Sequence, residues 1–403
     1  MADWNAIRKL VPLDPSVVML NTGSFGPTPT PVMEYTHQLR LRLAAGPTDF
    51  FLRQTPPLLW DARVRTAKFL GTVPQRLIFT TNVSVSINIV AQSLTLAAPG
   101  ELLMSDHEYG AMIWAWERTA QRLGLTIKTF PVPLNPTDPA EIVEAARNAM
   151  TPKTRLFFCS HVLAPHGLIM PAKELCALAR KHGVLSVIDG AHAAAMIDLN
   201  ILDVGADFYA GNLHKWLLAP IGSGFLVFGP GMEDRLQPMW VSWGYRPDHE
   251  YMPGVPKIGL DEQDRYGSTP RIRAIEFDGT RDVCAWMGVP KAIEFQENIG
   301  FPAIRQRHRE LARYTAKVIG DRFGFPLATP DDARFSGSMT AVVLPAGSIA
   351  ERWRERLWSR RIEVPINERA GRVMLRVSHH FYTQELDIDA LAEAIPEVMR
   401  ELA

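Results

Sequence analysis

Lysine 215 sits in the run Tyr209-Ala-Gly-Asn-Leu-His-Lys-Trp, and Asp189 opens Asp189-Gly-Ala-His192, 26 residues earlier. Each follows a short run rich in β-branched and aromatic residues, so an amine and a carboxylate are both expected just past strand ends. That pair suits one coenzyme in particular, pyridoxal 5'-phosphate, whose aldehyde needs an amine and whose pyridine nitrogen needs an acid. A solvated surface lysine and a loop-capping aspartate are the plainer alternatives for each residue alone.

The same coenzyme carries a phosphate and a phenolic oxygen, so two further partners are expected. Thr80-Thr-Asn82-Val-Ser84 joins a strand to a helix on which Val83, Ile87, Val90 and Leu94 share a face. Free N–H groups and the helix dipole at such a start favour an anion, although an ordinary Asn or Ser cap reads the same way. His214 can donate to the phosphate and His192 can bond the phenolic oxygen; satisfied core histidines are the alternative. No HExxH or CxxC spacing occurs, which argues against a metal site, and no GxGxxG follows a strand, which argues against a dinucleotide enzyme.

These residues need a frame. Strand-like runs at Arg76–Thr80, Glu101–Ser105, Thr126–Phe130, Thr154–Ser160, Val184–Ile188, Asp207–Ala210 and Gly222–Phe228 alternate with helix-like segments such as Pro171 to His182. The alternation predicts an α/β fold with a mainly parallel seven-stranded sheet covered by helices on both faces. In such sheets ligands lie beyond the carboxyl ends of the strands, where Asn82, Asp189 and Lys215 all fall. After a Trp/Tyr/Pro/Gly-rich stretch from Met239 to about Pro270, the expected elements are a long helical segment from Trp286 towards Phe323, strands at Ser338–Leu344 and Val373–Val377, a helix near Ile349–Arg361 and a terminal helix after Thr383. The expected division is a large coenzyme-binding domain over 15–285 and a smaller α/β C-terminal domain over 286–403, with residues 1–14 packing against the latter.

Composition narrows the partners. Lys+Arg and Asp+Glu both number 43, so no net field favours nucleic acid or an anionic membrane. Apolar residues make up 47% and charged residues 21%, as in ordinary globular proteins, and no apolar run approaches a membrane span. The expectation is a cytoplasmic enzyme acting on a small molecule. Three cysteines cannot build a disulfide framework, and Cys159 and Cys176 lie in apolar contexts that suit packing.

Taken in order, Leu20-Asn-Thr-Gly-Ser-Phe-Gly26, Phe50-Phe-Leu-Arg53, Thr81-Asn-Val-Ser84, Glu108-Tyr-Gly-Ala111, Ser160-His-Val162, Asp189-Gly-Ala-His192, His214-Lys215, Ser242-Trp-Gly244, Gly279-Thr-Arg-Asp282 and Leu375-Arg-Val-Ser378 carry a resemblance over nearly the whole chain. The sequence resembles the class V aminotransferase family of fold-type I pyridoxal phosphate enzymes, within it the isopenicillin N epimerase-like branch. The resemblance implies that Lys215 is the Schiff-base lysine, Asp189 pairs with the ring nitrogen and His192 lies near the phenolic oxygen. It implies that Val83, Ser84 and His214 hold the phosphate, with Thr280 reaching it from a neighbouring subunit of a homodimer. It places Tyr109 where relatives stack an aromatic ring on the cofactor, and Arg376 on the substrate carboxylate. Arg53 and the loop from Trp240 to Tyr251 are candidate substrate-side groups.

Two departures follow. Ala164 stands where many relatives carry an asparagine, and no cysteine lies beyond Cys284, so a nucleophilic thiol on a C-terminal loop is missing and desulfurase chemistry is disfavoured. The expected reaction is epimerisation at the α-carbon of an amino-acid-like substrate. A carbon–sulfur β-lyase or an aminotransferase is the alternative, and a catalytically silent scaffold is the alternative of another class. An epimerase needs an acid opposite Lys215, for which His107, His166 and Tyr245 are candidates.

Overall fold

The computed structural model describes residues 2–245 and 258–402. Its centre is a sheet of seven strands, β1 (Leu77–Thr80), β2 (Gly100–Ser105), β3 (Leu125–Phe130), β4 (Thr154–Ser160), β5 (Leu185–Gly190), β6 (Phe208–Asn212) and β7 (Gly224–Phe228), in the spatial order β1-β7-β6-β5-β4-β2-β3. Neighbours run parallel except β7, which is antiparallel to both β1 and β6. The expected α/β architecture with a mainly parallel seven-stranded sheet is therefore borne out.

Strands covered on both faces must be apolar at consecutive positions, and these are: β1, β6 and β7 are buried at every residue. Successive side chains go to opposite cores. Phe157 and Cys159 join the cluster under Leu175 and Trp286, while Leu156 and Phe158 join that of Ile87 and Trp116.

The free edge of β1 is closed by side chains. Arg63 Nη1 donates to the Leu77 carbonyl at 2.6 Å, Glu276 Oε2 accepts from Phe79 N–H at 2.7 Å, and the Trp286 indole donates to the Thr80 carbonyl at 2.8 Å. Edge groups that could template another strand are satisfied within the chain.

The C-terminal part forms a three-stranded antiparallel sheet, β8 (Met339–Val343), β9 (Ile366–Arg369) and β10 (Arg372–Ser378), in the order β9-β10-β8. Helices Ala350–Trp358 and Glu385–Leu402 share its core through Trp353, Leu357, Leu391 and Ile395. The chain's start reaches this part: Arg8 pairs with Asp387 at 2.6 Å, Val18–Met19 runs parallel to Ile362–Glu363, and Asn21 bridges Ser378. Residues near Asn21 are thus brought beside Arg376.

Two regions differ from the sequence reading. The segment expected as one long helix is broken into Cys284–Met287, Val289–Ile299 and Phe301–Thr315. Gly288 and Gly300 each precede an X-Pro pair, and proline suits a first turn while blocking continuation of a preceding helix. Helices Thr30–Ala45 and Thr55–Leu70, which no strong apolar stripe announces in sequence, supply Val32, Ala62 and Leu70 to the core.

Candidate active site

Three strand ends converge on the site. Ser160 pairs with Asp189, and Asp189 with Ala210, so the carboxyl ends of β4, β5 and β6 lie side by side. Lys215 follows β6 by three residues, and its loop is clamped from the other side by the N-terminal segment, where Gly26 N–H donates to the His214 carbonyl at 3.1 Å. A Cβ at Gly26 would stand 2.1 Å from the Lys215 carbonyl oxygen, so only glycine permits this approach.

Asp189 is buried, 3% exposed, and Oδ1 accepts from Ala191 N–H at 2.8 Å. Its other oxygen has no hydrogen bond among the described residues. Burial raises its pKa to about 6, against the lowering effects of the Ala191 amide and Lys215. Lys215 is partly accessible at the site, its Nζ 3.2 Å from His192 Nε2. Burial of the ammonium lowers its pKa to about 8; Asp189 opposes the shift and Arg376 adds to it. Amine and acid are thus drawn towards each other's range.

Around them, the helix Val83–Ser93 begins with Asn82 in an extended conformation, its Oδ1 accepting from Val85 N–H at 3.0 Å. Val83 N–H is committed to Asn212 Oδ1 at 2.8 Å, while the Ser84 amide and hydroxyl have no partner among the described residues. His214 shares a hydrogen bond with the Ser223 carbonyl through Nδ1 at 3.0 Å, leaving Nε2 without a partner among the described residues; its pKa is lowered to about 4, chiefly by burial. Tyr109 precedes helix Gly110–Leu123 with its ring half exposed.

Arg376 is 4% exposed and within reach of no carboxylate among the described residues. Nη1 donates to the Ala164 carbonyl, Nη2 to Asn21 Oδ1 at 3.2 Å, and the buried Nε has no partner. Burial pulls its pKa down to about 10. A buried guanidinium held only by neutral acceptors is costly unless an anion arrives.

The other expected residues make no hydrogen bond to Lys215 or Asp189 among the described residues. Arg53 is on an exposed π-helical turn and pairs with Asp49 at 3.1 Å. Thr280 is exposed and makes no side-chain hydrogen bond among the described residues. His107 Nδ1 and His166 Nε2 bond to each other at 3.0 Å in a buried pair, whereas Tyr245 is exposed. Trp240 and Trp243 are exposed; positions 246–251 of that loop, Tyr251 included, lie outside the described residues.

Four further side chains bond to groups at the site without a local signal in the sequence: Asn21, Glu108, Asn212 and Trp216. Glu108 is fully buried without a cation, accepts from Ser105 Oγ at 2.5 Å and Ser160 Oγ at 2.6 Å, and is raised to about 7 by burial, despite those bonds, with Asp189 adding to the rise. Each lies inside a motif already noted, but its contact partner is distant in sequence.

These donors fit pyridoxal phosphate: an amine for its aldehyde, an unpartnered carboxylate oxygen for its ring nitrogen, and a free amide with a hydroxyl at a helix start for its phosphate. Fold and site together define a pyridoxal phosphate-dependent enzyme of fold type I. The chain belongs to the aminotransferase class-V family, whose model matches residues 49–391. It is 48% identical over 402 residues to isopenicillin N epimerase of Streptomyces clavuligerus, covering 100% of both chains, and 48% identical to that of Amycolatopsis lactamdurans, covering 98% and 99%. A putative L-cysteine desulfhydrase 1 of Oryza sativa subsp. japonica is 27% identical, over 96% of this chain and 84% of that one. Among solved structures, a C-DES mutant with glycine covalently linked to its pyridoxal phosphate superposes with a TM-score of 0.82 at 22% identity, covering 98% of both chains. The apo cysteine desulfurase of Thermococcus onnurineus NA1 gives 0.79 at 20%, covering 100% and 99%. These last two likenesses establish the fold.

Proposed function

We propose that this enzyme epimerises an amino-acid-like substrate at its α-carbon, with Lys215 and Asp189 as the catalytic pair. The observation that carries the reading is the 48% identity to two isopenicillin N epimerases along the full chain, against 27% for the desulfhydrase. All three cysteines are buried, which removes the exposed thiol that a desulfurase mechanism needs.

Bound pyridoxal phosphate supplies an aldehyde for amine capture and a ring that withdraws the electron pair left at the α-carbon. Lys215 would hold the aldehyde, and its amine, once free, would move the proton at one face of the substrate α-carbon, inversion requiring a proton from a second acid or water on the opposite face. Asp189 would offer its unpartnered oxygen to the pyridinium N–H, a charge-assisted bond that would keep the ring proton in place. His192 would donate towards the phenolic oxygen, Tyr109 would cover the ring face, and the Ser84 amide and hydroxyl with His214 would hold the phosphate, Asn82 and Val83 shaping the helix start through their own hydrogen bonds. Arg376 presents its planar fork to the substrate carboxylate and fixes the α-carbon against Lys215. Arg53 is assigned to the substrate's side-chain end.

We further propose a cytoplasmic homodimer in which Thr280 completes the partner's phosphate site. Phe25 and Ile221, both 67% exposed and close in sequence to the Gly26 clamp and the Lys215 loop, suit burial by a second copy. The same reading takes residues 15–285 as the coenzyme-binding unit and 286–403 as the smaller one, in keeping with the separate sheet that follows Gly337. Among the described residues no helix is long and apolar enough to cross a membrane.

Incubation with candidate amino acids in deuterated water tests the reaction. Deuterium at the α-carbon with inversion is the expected outcome; pyruvate or a sulfur product would instead establish a β-lyase, and pyridoxamine phosphate an aminotransferase.

A further inference from the structure

Trp216 follows the Schiff-base lysine directly and is 1% exposed. Its indole N–H points at His192 Nδ1, 3.3 Å away. An indole nitrogen only donates, so Nδ1 must present a lone pair. A neutral imidazole carries one proton, which is then left on Nε2, the atom 3.2 Å from Lys215 Nζ. An Nε2–H can meet only an acceptor, and an ammonium has none. The contact therefore requires a free amine at Lys215.

We infer that Trp216 is a positioning residue which locks His192 in the Nε2–H tautomer, so that the imidazole donates into the cofactor site and cannot accept from, and so stabilise, a Lys215 ammonium. The inference rests on the reading of Lys215 as the coenzyme's amine and adds a residue to that machinery.

The indole is held where the lock needs it. Its backbone carbonyl accepts from Gln296 Nε2 at 2.8 Å and bonds His380 Nε2 at 2.9 Å, and the ring stacks on His380 with centroids 6.0 Å apart at 11°. His380 stacks in turn on Tyr382, whose hydroxyl bonds Thr22 Oγ1. Trp216 is thus packed between the helix Val289–Ile299 and the segment after β10, with its ring buried against His380.

Burial and the charges around the pair disfavour protonation of both the ring and the amine. Burial, Lys215 and Arg376 all hold the His192 pKa well below its ordinary value. On Lys215, Asp189 favours the ammonium, while burial and Arg376 oppose it. None of these groups is altered by removing the indole N–H. Without it, His192 is free to move its proton to Nδ1 and turn the Nε2 lone pair towards Lys215, which would favour the charged amine.

The test reads the tautomer by ¹⁵N NMR of histidine-labelled wild type, cofactor-free and loaded, with His192→Gln assigning the resonances. The expected result is a protonated Nε2 and an unprotonated Nδ1 in both forms; a protonated Nδ1 in wild type would overturn the inference without any variant having to fold. Trp216→Phe keeps the ring stack and removes the donor. At pH 7 its cofactor-free form should capture pyridoxal about tenfold more slowly, the equivalent of about one unit in the Lys215 pKa. If Trp216→Phe changes thermal stability alone, leaving tautomer and capture rate unchanged, Trp216 is merely structural. Failure of the wild type to form a borohydride-stable adduct at Lys215 would instead contradict the cofactor reading, and the tautomer would still be measured.

Discussion

Two groups of buried charge are arranged in opposite ways. At the edge of β1, Arg63 and Glu276 pair at 2.6 Å with side chains 1% and 6% exposed, both carboxylate oxygens engaged, and the guanidinium 5.1 Å from the Phe79 ring centroid. In the site, Arg376 has only neutral acceptors, one Asp189 oxygen has no partner among the described residues, and Lys215 leans on a histidine. In the first set the two charges are paired within the chain, with only Arg63 Nε left without a partner among the described residues, and the set acts as architecture. The second is left open, so its desolvation cost is recovered only when a ligand brings the missing partners.

Substitutions at the two places should therefore separate stability from chemistry. Arg63→Met strands the Glu276 carboxylate and should cost about 3–5 kcal/mol in urea unfolding, with turnover per folded molecule unchanged. A loss below about 1 kcal/mol would dissolve the contrast. Asp189→Asn should act the other way, lowering turnover about 100-fold through loss of a charge-assisted hydrogen bond worth about 3 kcal/mol. Its cofactor-free form should melt no lower than wild type. The sign follows from linkage: the folded pKa of Asp189, about 6, lies above the ordinary value of 3.8, so the ionised group opposes folding, with the penalty growing from pH 4 to 6 and complete above.

Arg376→Lys keeps the charge but removes the fork and should raise KM for an amino-acid substrate about tenfold, equivalent to about 1.4 kcal/mol. An unchanged KM would remove Arg376 from the carboxylate site. The smallest effect is one of pH. With the Lys215 amine free above about pH 8, capture of pyridoxal phosphate by cofactor-free protein should accelerate from pH 6 to 8 and then level off. Continued acceleration to pH 10 would mean an ordinary, solvated lysine.

The parts legible in sequence were those with local signals. Each of the seven sheet strands lies within two residues of its expected start and end, because strands buried on both faces must be apolar throughout and punctuated by turns. Lys215 and Asp189 are expected near each other because residues past parallel strand ends share one crevice whatever lies between them. Contacts made across the fold were not legible. Arg63 and Glu276 are 213 residues apart, and nothing local marks either as buried. Trp216 was visible in the motif, yet its role depends on where the His192 ring turns. The strand β9 has no such signal, since Ile366–Arg369 carries one polar and two charged side chains in four residues and has no apolar run of its own. Helix Thr30–Ala45 fails by the same measure, with charged and apolar residues interleaved around its axis.

The account stands on Lys215 as the residue that holds the coenzyme. Borohydride reduction of the loaded enzyme followed by peptide mapping tests this directly. One pyridoxyl group on Lys215, absent after Lys215→Ala in a protein that stays folded, is the expected result; a label on another lysine, or none in a folded wild type supplied with pyridoxal phosphate, would contradict it.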